Sequence, residues 1–178
     1  MLGNIPKGLF PSTGLVMVAI AVFGYAAVDV SWISDAKDMG ESPFYGTEFL
    51  QILVRNLGAA LVLYSGVVTL GLTTLVGCGV LALYIGATMS LGMHSTGGSN
   101  LVNDVIWYVP FEFLGLVMAA TAGFQPVVGL GSRLLNDTPV TVASFVDDVA
   151  RSLGTLLLAV ALIASGAAIE AILIHLKT

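Results

Sequence analysis

Long apolar runs alternate with short polar breaks along the chain. A helix needs about 20 predominantly apolar residues to cross the hydrocarbon core of a bilayer. Five runs meet that requirement: Gly14–Ile33, Glu48–Val68, Gly71–Leu91, Val105–Val128 and Gly154–Leu176. The breaks are a leader over Met1–Thr13 with Pro6 and Pro11, a charged loop over Ser34–Gly46, and a polar loop over Gly92–Asp104. The stretch Thr47–Gly92 has no such break. As one helix it would run about 70 Å, more than twice the membrane, so it must fold back. Gly66 and Gly71 put the expected turn within Ser65–Leu72. Because that turn is short and apolar, a partly re-entrant hairpin stands beside two full spans as a reading.

Leu130–Arg151 is the longest hydrophilic segment, and part of it is periodic. Val140, Val142, Phe145, Val146, Val149 and Leu153 fall on one side of a helix; Asp147, Asp148 and Arg151 fall elsewhere. The pattern predicts an amphipathic helix over 140–153, at the membrane surface, against a partner, or on the rim of its own protein. Phe145, Asp147, Asp148 and Arg151 are its candidate partner-docking residues. The fold class expected is an all-α polytopic membrane helix bundle. It would have about five transmembrane helices and one amphipathic interfacial helix, in a single membrane domain over 1–178.

Composition agrees with this pattern. Of 178 residues, 57% are hydrophobic and 10% charged, and the mean hydropathy is +0.97. A soluble domain carries about 25% charged residues. A net charge of −5 argues against a nucleic-acid partner and against a polybasic lipid patch. The single cysteine, Cys78, lies in an apolar run and reads as a small core residue. The first apolar run is followed by Asp29-Val-Ser-Trp-Ile, a poor cleavage site, so it is expected to be a retained span. Five spans put the leader, the 65–72 turn and the 130–151 segment on one side. That side holds Lys7, Arg133 and Arg151 against Lys37 and Lys177 on the other, which points to a cell-membrane protein with a cytoplasmic N-terminus.

Charge inside the spans is the candidate chemistry. Arg55 lies seven residues after Glu48, Glu112 seven after Val105, and Glu170 seven before Lys177. At 1.5 Å per residue each would sit about 10 Å deep from one face. A buried lone charge is costly, so Arg55 is expected to pair with Glu112 or Glu170. Asn56 is placed to add hydrogen bonds. One carboxylate is then left over, to be protonated or to meet a cation or substrate. The polar cluster Arg55, Asn56, Glu112 and Glu170 is thus either a structural ion pair that sets helix register or a gated, proton-coupled site. Gly115, Ala119 and Gly123, with Ala164, Gly166 and Ala168, suit close helix contact. Pro110 either kinks the fourth span or marks an irregular first turn.

No catalytic constellation is found. His94 falls in a polar loop and His175 near the interface; neither stands with a nucleophile at depth, and no zinc-type spacing, P-loop or dinucleotide fingerprint occurs. No enzyme activity, metal or cofactor is expected. If ATP drives this protein, the nucleotide-binding part is on another chain. Trp32, Trp107, Tyr45 and Tyr108 suit the membrane interface.

Arg55-Asn56 at the head of Phe49–Gly92, with Gly66, Gly71, Gly79 and Gly86, resembles the stage II sporulation protein M family. So do Phe111-Glu112-Phe113 followed by Ala119-Ala120-Thr121-Ala122-Gly123-Phe124, and Ala167-Ala168-Ile169-Glu170-Ala171. The similarity covers Phe49 to about Ala171. Asn56, Glu112 and Glu170 match the family's asparagine and two glutamates. Trp107-Tyr108-Val109 stand where the family often has Pro-His-Gly, so the role of that histidine does not carry over. The resemblance implies a prokaryotic multi-span protein working in a complex, either as a scaffold for cell-wall enzymes or as an export component beside transporter ATPases. The function expected is therefore a membrane subunit of a larger assembly, a permease-like component of an ABC-type export system. The alternatives are a non-catalytic scaffold for wall-remodelling or other membrane enzymes, and a proton- or cation-coupled transporter. Expected partners are the lipid bilayer, an ATPase subunit or membrane enzyme, and a second copy of the chain.

Overall fold

The computed structural model describes residues 5–28, 49–96 and 98–177, in which every regular element is a helix. Helix α1 is Leu9–Ala27. Helix α2, Phe49–Tyr64, continues into a 3₁₀ turn at Ser65–Val67. Then come α3 (Leu72–Thr96), α4 (Gly98–Val105), α5 (Val109–Leu135) and α6 (Val142–Lys177). Five of these are long and apolar enough to cross a membrane, and the chain is a multi-pass membrane protein. Asp29, Trp32, Tyr45, the 34–46 loop and Glu48 lie outside the described residues.

Helix α5 is the centre of the bundle. In its apolar window 61% of residues are buried, against 17–28% in the other four spans. It packs most extensively on α6 and also meets α1 and α2, while α3 packs mainly on α1. Two glycines set the α1–α3 crossing. A Cβ at Gly24 would stand 2.7 Å from the carbonyl oxygen of Leu83, and one at Gly86 would overlap the Ala21 carbonyl. Hydrocarbon offers no hydrophobic drive between helices, so such close backbone approach is what makes them adhere.

The turn between α2 and α3 falls where Gly66 and Gly71 predict it. Gly71 adopts φ +85° and donates its N–H to the carbonyl of Gly66 at 2.7 Å; a left-handed backbone there favours glycine. The two arms, 19 and 24 residues, are each long enough for a full span.

Helix boundaries correct the sequence reading at four places. The first span starts at Leu9, not Gly14, because Pro11 is in the first helical turn, where a missing N–H breaks no helical bond. The polar stretch 92–104 is not a loop: α3 runs on to Thr96 and α4 follows. His94 is accordingly helical, its Nδ1 lying 2.8 Å from the carbonyl oxygen of Ser90. The fourth span begins at Val109 with Pro110 in its first turn, so Pro110 starts the helix rather than kinking it.

The fourth correction is the largest. No separate interfacial helix occupies 140–153. Helix α5 runs to Leu135, and α6 is one unbroken 36-residue helix from Val142. Between them Asp137 turns the chain at φ +51°, and the N–H of Thr138 reaches back to the Arg133 carbonyl at 3.0 Å, a Schellman-type closure. Thr141 and Ser144 then bond reciprocally, each hydroxyl accepting the other's N–H at 3.1 Å, and start α6. The predicted periodicity is helical, but Asp148 faces inward while Asp147 and Arg151 stay exposed. Asp148, Ser152 and Thr155 are buried, while Val142, Val146, Leu153 and Leu157 are exposed. A bundle in hydrocarbon gains by turning polar groups to its interior.

Candidate functional site

Asn56 and Glu112 meet in the bundle. The Asn56 amide donates to Oε1 of Glu112 at 2.5 Å, joining α2 to α5. Gly166 of α6 makes room: a Cβ there would lie 2.5 Å from Cγ of Glu112. Glu112 stands in the first turn of α5, not seven residues inside it, so its depth is better measured from the other end of the helix. Gly123, packed on Leu63 and Thr74 near the α2–α3 turn, is a better mark. Glu112 is eleven residues from it, about 16 Å along the helix.

Arg55 pairs with neither glutamate as expected. Among the described residues no carboxylate lies within 4.0 Å of it. Its Nη2 donates instead to the Tyr84 hydroxyl at 2.8 Å, on α3. The reason is geometric. Adjacent helical residues point about 100° apart, so only one of Arg55 and Asn56 can face α5. Asn56 does, and Arg55 is left exposed on the outer surface of α2. Glu170, half-buried on α6, lies one helical turn beyond Gly166 and within electrostatic reach of both Glu112 and Arg55. The four predicted residues thus form a loose group with one direct contact.

The candidate docking residues separate. Asp148 is buried and forms a two-point ion pair with Arg133: Nη1 to Oδ2 and Nη2 to Oδ1, the latter at 3.0 Å. Arg151 is half exposed, with Nη1 4.0 Å from Oδ1 of the same carboxylate. Asp147 is exposed and Phe145 is half-buried. Asp148 therefore cannot belong to an outward docking face; its charge is already used within the α5–α6 hairpin.

A second polar seam, not foreseen from the sequence, runs inward from this pair. The Thr155 hydroxyl donates to Gln125 Oε1 at 3.0 Å, and the Tyr64 and Ser152 hydroxyls lie 3.2 Å apart. Thr74 donates to the Leu63 carbonyl at 2.6 Å. The available signal was the spacing of Asp148, Ser152 and Thr155, which share one helix face. Cys78 lies in the apolar core. Among the described residues no three His, Cys, Asp or Glu side chains gather as a metal site. No protein-family model matches the chain, and neither does any curated protein or solved structure.

Proposed function

We propose that this chain is a non-enzymatic membrane subunit of a larger assembly, the permease-like component of an export system whose ATPase is a separate chain. The observation that carries the assembly reading is Arg55. It is exposed within an apolar span, beside Leu50 and Val54, and is anchored to the half-exposed Tyr84. A guanidinium facing lipid is costly, so such residues face another protein surface or water. A second membrane-spanning chain presenting a polar or acidic group at that depth would satisfy it. The export role rests on the resemblance to the stage II sporulation protein M family. The α5–α6 hairpin, with exposed Val142, Val146 and Asp147, is the surface offered to the ATPase.

The test is extraction of the tagged protein in mild detergent, with mass-spectrometric identification of what accompanies it. An ATPase in fixed ratio, lost with Asp147→Lys, supports the export role. A wall hydrolase or another membrane enzyme in its place favours the scaffold. A homogeneous oligomer of this chain alone contradicts both. It favours coupled transport, a reading supported by the proximity of Glu112 and Glu170, and there Glu112→Gln should abolish cation-driven flux.

A further inference from the structure

Helix α5 carries no charged residue from Phe113 to Ser132, and α6 none from Ser152 to Ile169. At 1.5 Å per residue these stretches span about 30 and 27 Å, close to the hydrocarbon thickness. The helices are antiparallel, so the next charges, Arg133 on α5 and Arg151 on α6, arrive together at one end. Between them is an open cleft of about 330 Å³, lined by Gln125, Gly129, Ser132, Arg133, Asp148 and Arg151. Pro6, three residues ahead of α1, also lines it. Gln125, Gly129 and Ser132 line the part of the cleft within the charge-free stretch, and Arg133 and Arg151 stand just beyond the ends of both stretches, which is headgroup depth.

Its charges are unequally matched. Both oxygens of Asp148 are engaged by Arg133. Gly129 permits this: a Cβ there would stand 2.5 Å from Asp148 Oδ2. Arg151 is left with a single 4.0 Å approach to the same carboxylate, and 53% of its side chain is exposed. A guanidinium has five N–H donors in a planar fork that fits phosphate oxygens two at a time. A structural ion pair would need only Arg133 and Asp148. The exposed Asp147, within electrostatic reach of Arg133, offsets part of the field.

We propose that this cleft binds a phosphate-bearing anion at the membrane surface, with Arg151 as the principal ligand and Arg133 and Ser132 beside it. The chemistry is that of an anionic phospholipid headgroup or of a soluble phosphate compound. A basic pocket between helices at headgroup depth is a recurring way to hold the former. The proposal is independent of the export role, since it requires no partner protein.

The experiment uses the full chain, delipidated in uncharged detergent. Its thermal midpoint is followed against short-chain phosphatidylglycerol, short-chain phosphatidylcholine and inorganic phosphate at matched ionic strength. Phosphatidylglycerol should raise the midpoint saturably, and phosphatidylcholine should not. Arg151→Gln should weaken the apparent affinity by about tenfold, as expected for one charge-assisted contact, without moving the midpoint of the lipid-free protein. Arg151→Lys, which keeps the charge and loses the fork, should fall between. A shift with inorganic phosphate and not with the lipid assigns a soluble phosphate compound. No saturable shift with either anion, or equal responses from wild type and both variants, would overturn the proposal.

Discussion

The Asn56 amide on α2 and the Glu112 carboxylate on α5 are joined by a 2.5 Å hydrogen bond inside the bundle. Because α5 is the most buried span, this bond ties an outer helix to the centre. Asn56→Ala should destabilise the protein in detergent by about 1–3 kcal/mol, the cost of leaving a buried acceptor without its donor. Glu112→Gln keeps an acceptor for the same amide and should cost less. Thermal unfolding of the two variants, compared side by side, checks the order.

The α1–α3 crossing gives a second prediction. Gly24→Ala places a methyl 2.7 Å from the Leu83 carbonyl oxygen, which is backbone and cannot swing away. The expected loss is about 1–3 kcal/mol. Gly58 and Gly79 have nothing within 4 Å of a built Cβ. Alanine there should be neutral or stabilising by less than about 1 kcal/mol. Equal losses at all three sites, measured by detergent unfolding, would contradict the packing described.

The hairpin end supplies a third. Asp148→Asn leaves Arg133 with a weaker acceptor and should loosen residues 128–151, seen as faster amide hydrogen exchange there than in the rest of α5. The double exchange Arg133→Asp with Asp148→Arg should restore part of the protection. The pair is only partly buried on the arginine side, with 25% of that side chain exposed. The expected cost is therefore about 1–3 kcal/mol, below that of a fully buried pair.

Much of this architecture is legible in the sequence, and the exceptions have one physical origin. The five spans and the Gly66–Gly71 turn follow from run length and from a backbone conformation that favours glycine. The central place of 105–128 follows from small residues at Gly115, Ala119 and Gly123. What periodicity does not reveal is which side of a helix is inside. Asp147, Asp148 and Arg151 read as one partner-docking group, whereas Asp148 turns inward with Ser152 and Thr155 while Val142 and Val146 turn out. The same ambiguity hides the division between Arg55 and Asn56. Charge alone makes Arg55 the partner of a glutamate, but one residue of rotation gives the contact to Asn56 and leaves Arg55 outside.

Arg55→Leu follows from that position. In the isolated chain it removes one hydrogen bond to Tyr84 and should leave thermal stability within about 1 kcal/mol. In native membranes it should abolish the larger complex, read as a shift to smaller mass in native gels.

Another membrane protein is expected to cover the face of α2 around Arg55. Val54, 66% exposed on that face, is the place to test it. A photoreactive amino acid at position 54 in native membranes should give one discrete adduct with a membrane-spanning protein. The same probe at Val22, 62% exposed on α1, gives the background level. Adducts with lipid alone at position 54 would contradict the account and leave Arg55 a residue that faces the bilayer.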